Sequence, residues 1–206
     1  MHIVSFVIGG FLAYLLGAIP CGYLLARWRG VDIRTVGSGN IGATNVFRSV
    51  GKGWGVLTFI CDALKGYIAA GLLPYGAGYI GAPGSLPLAV ACAGLAIIGH
   101  NWPIYLRFRG GKGIATSLGA LTGLAPAAAG LGLLCWLLVF GMTRYVSVAS
   151  MAAAAAVGIA GWFLYPADRL LSLMLALLAV VAIWRHQANI RRLLKGTEHR
   201  FQRSHN

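Results

Sequence analysis

The sequence predicts an all-α integral membrane protein: a seven-helix transmembrane bundle with its N-terminus outside and its C-terminus in the cytoplasm. Three observations carry that prediction. The 206 residues are 58% hydrophobic and only 10% charged, with a mean hydropathy of +0.76, more apolar surface than a soluble domain of this length can hide. Long apolar runs alternate with short polar connectors, and Lys and Arg crowd alternate connectors, which marks those as cytoplasmic. One domain, 1–206, is expected, ending in a basic cytoplasmic or interfacial tail, 185–206.

The first span covers about 3–26, long enough for the ~30 Å hydrocarbon core at ~1.5 Å per residue. No Lys or Arg precedes it and Arg27, Arg29 and Arg34 follow it. That is the layout of a retained first span with its start outside, not of a cleaved signal peptide. A second span, 54–73, contains Asp62 and Lys65, which at i and i+3 can neutralise each other inside the membrane. The Gly- and Pro-rich connector 74–87 has no charge and belongs outside. The third span, 88–106, returns to Arg107, Arg109 and Lys112.

From 113 to 142 there is no charged residue. One straight helix of that length would measure ~45 Å, too long to cross comfortably, while two full spans would be short. Parity decides. A single crossing would put Arg144 and the basic residues of the tail outside, against the positive-inside rule. Two short or tilted crossings, turning near 123–126, keep them inside. The sixth span, 148–165, has an alanine run at 152–156 suited to close helix packing, and the seventh, 170–184, follows an outer turn with Pro166, Asp168 and Arg169. In the tail Ile190, Leu193 and Leu194 alternate with Arg191, Arg192 and Lys195, the pattern of a helix lying on anionic lipid.

Charge narrows the partners. With 17 Lys or Arg against 4 Asp or Glu, the chain carries +13, which suits anionic lipid or phosphate. A chain mostly inside the membrane does not read as a nucleic-acid binder. So few carboxylates exclude paired-carboxylate catalysis. Cys21, Cys61, Cys92 and Cys135 stand singly in apolar runs and read as small buried residues, neither disulfides nor metal ligands. No metal site and no cofactor are expected.

Four polar clusters fall on the cytoplasmic side of this topology. The first, GSGNIGATNVFR at 37–48, combines glycines that can turn N–H groups toward an anion with Ser38, Asn40, Thr44, Asn45 and Arg48. Its Gly-x-Gly-x-x-Gly spacing imitates a dinucleotide fingerprint, but a membrane span precedes it and no βαβ unit can be built there. A plain glycine-rich turn is the simpler alternative. In the second, GHNWPIYLRFRGGKGIAT at 99–116, Gly110, Gly111, Lys112 and Gly113 precede a helix start, so free N–H groups and an ammonium can meet one anion. Gly113, not Ser or Thr, follows the lysine, so this is no Walker A loop. His100 can orient a hydroxyl, take its proton, or simply cap a helix end. The third, TRYVSVAS at 143–150, sets Arg144, Ser147 and Ser150 within two helical turns, and the fourth holds His186 and Asn189. Asp62 is expected to brace the loops, and Lys65 either braces them or touches substrate.

Taken together, GSGNIGATNVFR, DALKG, GHNWPIYLRFRGGKGIAT, TRYVSVAS and HQANIRRLLKGTE resemble the bacterial acyl-phosphate:glycerol-3-phosphate acyltransferases of the PlsY type, in order and with compatible spacing from the first loop to Glu198. The resemblance implies seven spans in the bacterial cytoplasmic (inner) membrane and a site at the cytoplasmic face. It implies transfer of a fatty acyl group from acyl phosphate to the 1-position of sn-glycerol 3-phosphate, giving lysophosphatidic acid and phosphate, the first acylation step of bacterial phospholipid synthesis. The family motifs match Ser38, Asn40, Asn45 and Arg48; His100, Lys112 and Thr116; Arg144, Ser147 and Ser150; and His186 and Asn189. Where the family usually reads His-Arg-Glu-Asn, this chain has Gln187 and Ala188.

Ser38, Arg48, His100 and Lys112 are thus expected to carry the reaction. Asn40, Asn45, Lys65, Gly111, Gly113, Thr116, Arg144, Ser147, Ser150, His186 and Asn189 are expected to bind substrate. Acyl phosphate, sn-glycerol 3-phosphate and membrane lipid are the expected partners, and the enzyme that makes acyl phosphate is a candidate. No His has an Asp five residues later, as soluble-headed thioester acyltransferases do. The rival from another class is a membrane anion or phosphate transporter, which should place its polar groups near the bilayer midplane in paired broken helices. A lipid-binding scaffold would need the basic tail but no glycine-flanked Lys112.

Overall fold

The computed structural model describes residues 2–76 and 85–202, and every described element is helical. The middle of the charge-free connector 74–87 and Arg203 of the tail lie outside the described residues. The chain forms two compact units, Met1–Ala125 and Pro126–Asn206.

In the first unit α1 (His2–Ala18) and α2 (Cys21–Trp28) are two pieces of the first apolar segment. Pro20, with no N–H to donate, interrupts the helix between them. The polar loop then leads to α3 (Ala43–Ser49) and α4 (Lys52–Tyr67), and a π turn at Ile68–Leu72 joins α4 to α5 (Leu73–Gly76). The combined run Lys52–Gly76 has 25 residues, enough to cross the membrane. Ser85 caps α6 (Leu86–Asn101) by accepting the Leu88 N–H at 3.4 Å.

α7 (Ile114–Leu124) has 11 residues, about 16 Å, roughly half of the hydrocarbon core. Within 113–142 the helix breaks where the turn was expected: Ala125 is extended (φ −145°, ψ 66°) ahead of Pro126, as a residue before proline must be. The first of the two expected crossings, however, is too short to be a full span. It starts only at Ile114, because Gly113 is left-handed (φ 81°). Among the described residues five helices are long and apolar enough to cross a membrane, or six with the bent pair of the second unit included. The structure thus shows the coarser statement, an all-helical membrane fold with five or six full-length candidates among the described residues.

α7 compensates for its shortness by packing backbone to backbone on α4. A Cβ at Gly119 would fall on the Ala63 carbonyl, and one at Gly66 on the Thr116 carbonyl, so only glycine permits this approach. A small apolar cluster of Ala13, Ala69, Leu88, Cys92 and Ala96 joins α1, α6 and the π turn. A second, Ala26, Ile33, Ile41, Val46 and Leu106, lies under the first polar loop and anchors it. Large side chains such as Phe11, Phe59 and Ile60 stay exposed, as on a lipid-facing surface.

In the second unit α8 (Pro126–Thr143), α9 (Val146–Leu164) and α10 (Arg169–Arg185) pack in sequence, and α11 (Gln187–Leu194) turns away from α10 by 52°. The alanine run 152–156 stays mostly half-buried. Gly158 and Gly161 also pack closely on α10, where a Cβ would press on Ala179 and Leu175. Ser172 Oγ secures the α9–α10 turn by reaching the carbonyls of Gly161 (3.0 Å) and Tyr165 (3.1 Å).

Candidate active site

In the first unit the loop 37–48 is organised by Asn45. Its buried amide donates to the carbonyls of Asn40 (2.9 Å), Val36 (3.1 Å) and Ile33 (3.2 Å), and its Oδ1 accepts the Ser38 N–H at 3.0 Å. Gly37 is left-handed (φ 59°), and a Cβ there would strike Asn45 Oδ1. Asn40 Oδ1 accepts the Gly42 N–H at 2.8 Å. Asn45 and Asn40, expected as substrate contacts, spend this capacity on the loop itself. The loop in turn presents Ser38 and Arg48, both exposed, and Arg48 Nε donates to the Thr44 carbonyl at 3.2 Å.

Nearby, Arg34 is held by Asp32 at 2.7 Å and lies 4.7 Å from the centre of the Tyr23 ring. The hydrogen bonds from Arg34 pull the Asp32 carboxyl down to about 2, and the same bonds push the guanidinium up. Arg34 is thus engaged by a carboxylate.

The second cluster is built on the end of α6. Buried His100 accepts the Gly111 N–H through its backbone carbonyl at 3.1 Å, and its Nε2 lies so close to Gly111 that a Cβ would fall into the ring. Half-buried Lys112 then leads into left-handed Gly113, which starts α7, so the lysine directly precedes a helix N-terminus, the positive end of the helix dipole. Arg107 and Arg109 are exposed on the neighbouring turn, in keeping with a topogenic role. Thr116 is fully buried, and its Oγ1 has no protein partner. Asn101, which the sequence reading passed over, is also fully buried with neither amide atom paired.

Beneath this cluster Lys65 and Asp62 are paired at 2.8 Å, as their spacing predicts, and Lys65 Nζ also donates to the Ile19 carbonyl at 2.7 Å. That carbonyl lies at the Pro20 break. Lys65 is 4% exposed, so its ammonium braces α1, α2 and α4 and is not a surface phosphate ligand.

The second unit holds a separate polar cluster around Glu198. Ser147 Oγ donates to its Oε1 at 2.9 Å, Asn189 Nδ2 to the same oxygen at 2.6 Å, and Arg192 Nε to Oε2 at 2.6 Å. Burial would push this carboxyl up, but the bonds from Asn189, Arg192 and Ser147 outweigh it and hold the group below the usual carboxylate range. Ser150, expected at the substrate, accepts the Trp136 Nε1–H at 3.1 Å, and buried His186 sets Nδ1 2.8 Å from the Ala182 carbonyl. Arg144 is left-handed (φ 61°), its carbonyl accepts the Phe201 N–H at 3.0 Å, and Arg200 Nε reaches the Thr143 carbonyl at 3.2 Å. Glu198 is the residue that motif reading missed as a site member. Its signal was scarcity, since it is one of 4 acidic residues in a chain of charge +13.

Glycine-flanked cations on a helical membrane scaffold define a membrane protein suited to phosphorylated ligands. The chain belongs to the glycerol-3-phosphate acyltransferase family, whose model matches residues 7–196. It is 47% identical over 205 residues to a glycerol-3-phosphate acyltransferase of Desulforudis audaxviator, covering 96% of each chain. It is 44% identical over 202 residues to that of Clostridioides difficile, again covering 96% of each. Among solved structures it resembles PlsY (YgiH), an integral membrane glycerol 3-phosphate acyltransferase, in its glycerol 3-phosphate form (TM-score 0.85, 40% identity, 96% of each chain). The lysophosphatidic acid form of the same enzyme matches with a TM-score of 0.82 and 39% identity, also over 96% of each chain.

Proposed function

We propose that this protein moves a fatty acyl group from acyl phosphate to the 1-position of sn-glycerol 3-phosphate, releasing lysophosphatidic acid and inorganic phosphate. The observation that carries the reading is Lys112, set between glycines at the start of α7 in a chain with few carboxylates to compete for it. The relative's two forms support it, since glycerol 3-phosphate and lysophosphatidic acid differ by one acyl group.

Acyl phosphate is a mixed anhydride with a good leaving group, so alignment and charge neutralisation can supply most of the rate. The glycerol hydroxyl oxygen bonds to the acyl carbon, the bond from that carbon to the phosphate oxygen breaks, and the departing phosphate takes the hydroxyl proton. Arg48, Lys112 and Ser38 hold the phosphate groups. Gly113 offers a backbone N–H group and Thr116 a hydroxyl, while Gly111 shapes the loop through its bond to the His100 carbonyl. His100 sets the loop, Lys65 the helices beneath it, and Asn40 and Asn45 the shape of the first loop. Ser147, Ser150 and His186 hold the polar cluster and helices of the second unit, where Arg144 adds a charge.

Both units belong, in this reading, to one acyltransferase domain working at the cytoplasmic face of a bacterial inner membrane. In keeping with the basic connectors, the stretch 113–142 is read as going out and back, the N-terminus as lying outside, and 185–206 as resting on the inner leaflet. The enzyme that makes acyl phosphate is the natural partner. The test is phosphate release by purified protein given acyl phosphate and glycerol 3-phosphate. Lys112→Ala or Arg48→Ala should abolish most of the rate, and a change below about threefold, under ~1 kcal/mol, refutes the site. For topology, a cysteine at position 195, exposed in the tail, should react only with reagent added from the cytosol.

A further inference from the structure

We propose that Asp62 is a positioning residue for the glycine loop, acting through the His100 imidazole on Gly111 and so on Lys112. The proposal rests on the reading of Lys112 as a phosphate ligand and adds to it the means by which that lysine is held.

Asp62 is 2% exposed on α4. A carboxylate at that depth needs a partner, and Lys65, 2.8 Å away, provides one. Neutralising Lys65 does not exhaust the geometry. The same oxygen, Oδ1, lies 3.5 Å from His100 Nδ1. The imidazole is therefore wedged between the carboxylate, on its Nδ1 side, and Gly111, on its Nε2 side, with no space for a Cβ between the ring and the Gly111 backbone. The Gly111 N–H closes the contact by donating to the His100 carbonyl at 3.1 Å.

A loop of sequence Gly110-Gly111-Lys112-Gly113 has little stiffness of its own, since glycine ranges widely in φ. Its shape must come from the wall it rests on. That wall is the His100 ring, and a carboxylate facing Nδ1 selects the tautomer with a proton there and fixes the plane of the ring, as carboxylates do for histidines that ligate metals. Lys65 completes the support by tying Asp62 to the Ile19 carbonyl at the Pro20 break. The Cys21 thiol is the other titratable group beside Asp62.

The test is a double-mutant cycle on the purified full-length protein, reading kcat and KM for glycerol 3-phosphate and for acyl phosphate. Asp62→Asn should lower kcat/KM by about 10- to 100-fold, the usual loss when a histidine's orienting partner is removed. Combined with His100→Gln, it should cost no more than about threefold beyond His100→Gln alone. Losses that multiply mean that Asp62 does not act through His100, and overturn the proposal. Size-exclusion profile and thermal unfolding show whether each variant is folded. If Asp62→Asn is not recovered folded, Asp62→Asn with Lys65→Met, which removes both buried charges, takes its place in the cycle. A second arm probes the wedge directly. Gly111→Ala should inactivate the enzyme, whereas Gly111→Ala on a His100→Ala background should be no worse than His100→Ala alone; a full further loss would show that the ring is not the wall. Lys112→Ala in the same assay separates the two readings. An active Lys112→Ala sinks the phosphate site itself, and an inactive Lys112→Ala with a fully active Asp62→Asn sinks only the positioning role.

Discussion

Replacing Glu198 by alanine removes one acceptor group from three donors at once, two of them on buried residues. Ser147 and Asn189 are 5% and 6% exposed; losing their acceptor leaves each short of a partner at ~1–3 kcal/mol per group. The Arg192 bond is as short as that of Asn189, but the Arg192 side chain is 34% exposed, so water replaces much of it and its share falls below ~1 kcal/mol. Allowing for coupling among contacts that share one carboxylate, Glu198→Ala should destabilise the second unit by about 3 kcal/mol. The assay is thermal unfolding in detergent micelles across pH. The group titrates below its ordinary value in the folded protein, so its contribution is present above the unfolded carboxylate value of ~4.3 and is lost as pH falls through the folded value. Wild type and Glu198→Ala should therefore differ most near neutrality and converge in acid. Equal unfolding temperatures at pH 7, or a gap that widens as the pH drops, would show that the carboxylate is not the clamp described.

Other outcomes follow from the same structure. Gly119→Val should separate α7 from α4 and unfold or inactivate the protein, because its Cβ would collide with the Ala63 carbonyl, whereas Gly130→Ala, where a Cβ meets nothing, should be neutral in unfolding and activity. Asn45→Ala removes four loop hydrogen bonds and should lower activity at least tenfold, with increased protease cleavage between 33 and 45. Ser150→Ala forfeits one bond to Trp136 and should cost ~1 kcal/mol in stability while kcat/KM stays within about threefold. Asp32→Asn should leave the pH profile of activity unaltered, since the Asp32–Arg34 pair stands at the surface and neither residue is assigned to the reaction.

Apolar length and basic connectors made the helical membrane fold legible, and they located the break at 123–126 to within a residue or two. They could not show that α7 has only 11 residues. Hydropathy measures composition, while the helix start depends on one backbone torsion, that of Gly113, and the packing on carbonyls that glycine uncovers. The motif residues were legible as a set, but their division of labour was not. Asn45 and Ser38 look equally available in a string of letters, yet one is buried under its own loop and the other faces out. Glu198 escaped because its donors are 51, 9 and 6 positions away in the chain, a separation no local pattern encodes. Asp62 and Lys65 announced their pairing through i,i+3 spacing, and His100 joined them only through the fold.

Of the four carboxylates in the chain, Asp32, Asp62 and Glu198 are each bound to a cation of their own. The long-range field is consequently an almost unopposed positive one, and negatively charged solutes should be drawn in from beyond contact distance. Attraction of that kind weakens over a Debye length of ~10 Å at 0.1 M salt, so capture of glycerol 3-phosphate should slow as ionic strength rises while the turnover of bound substrate stays the same.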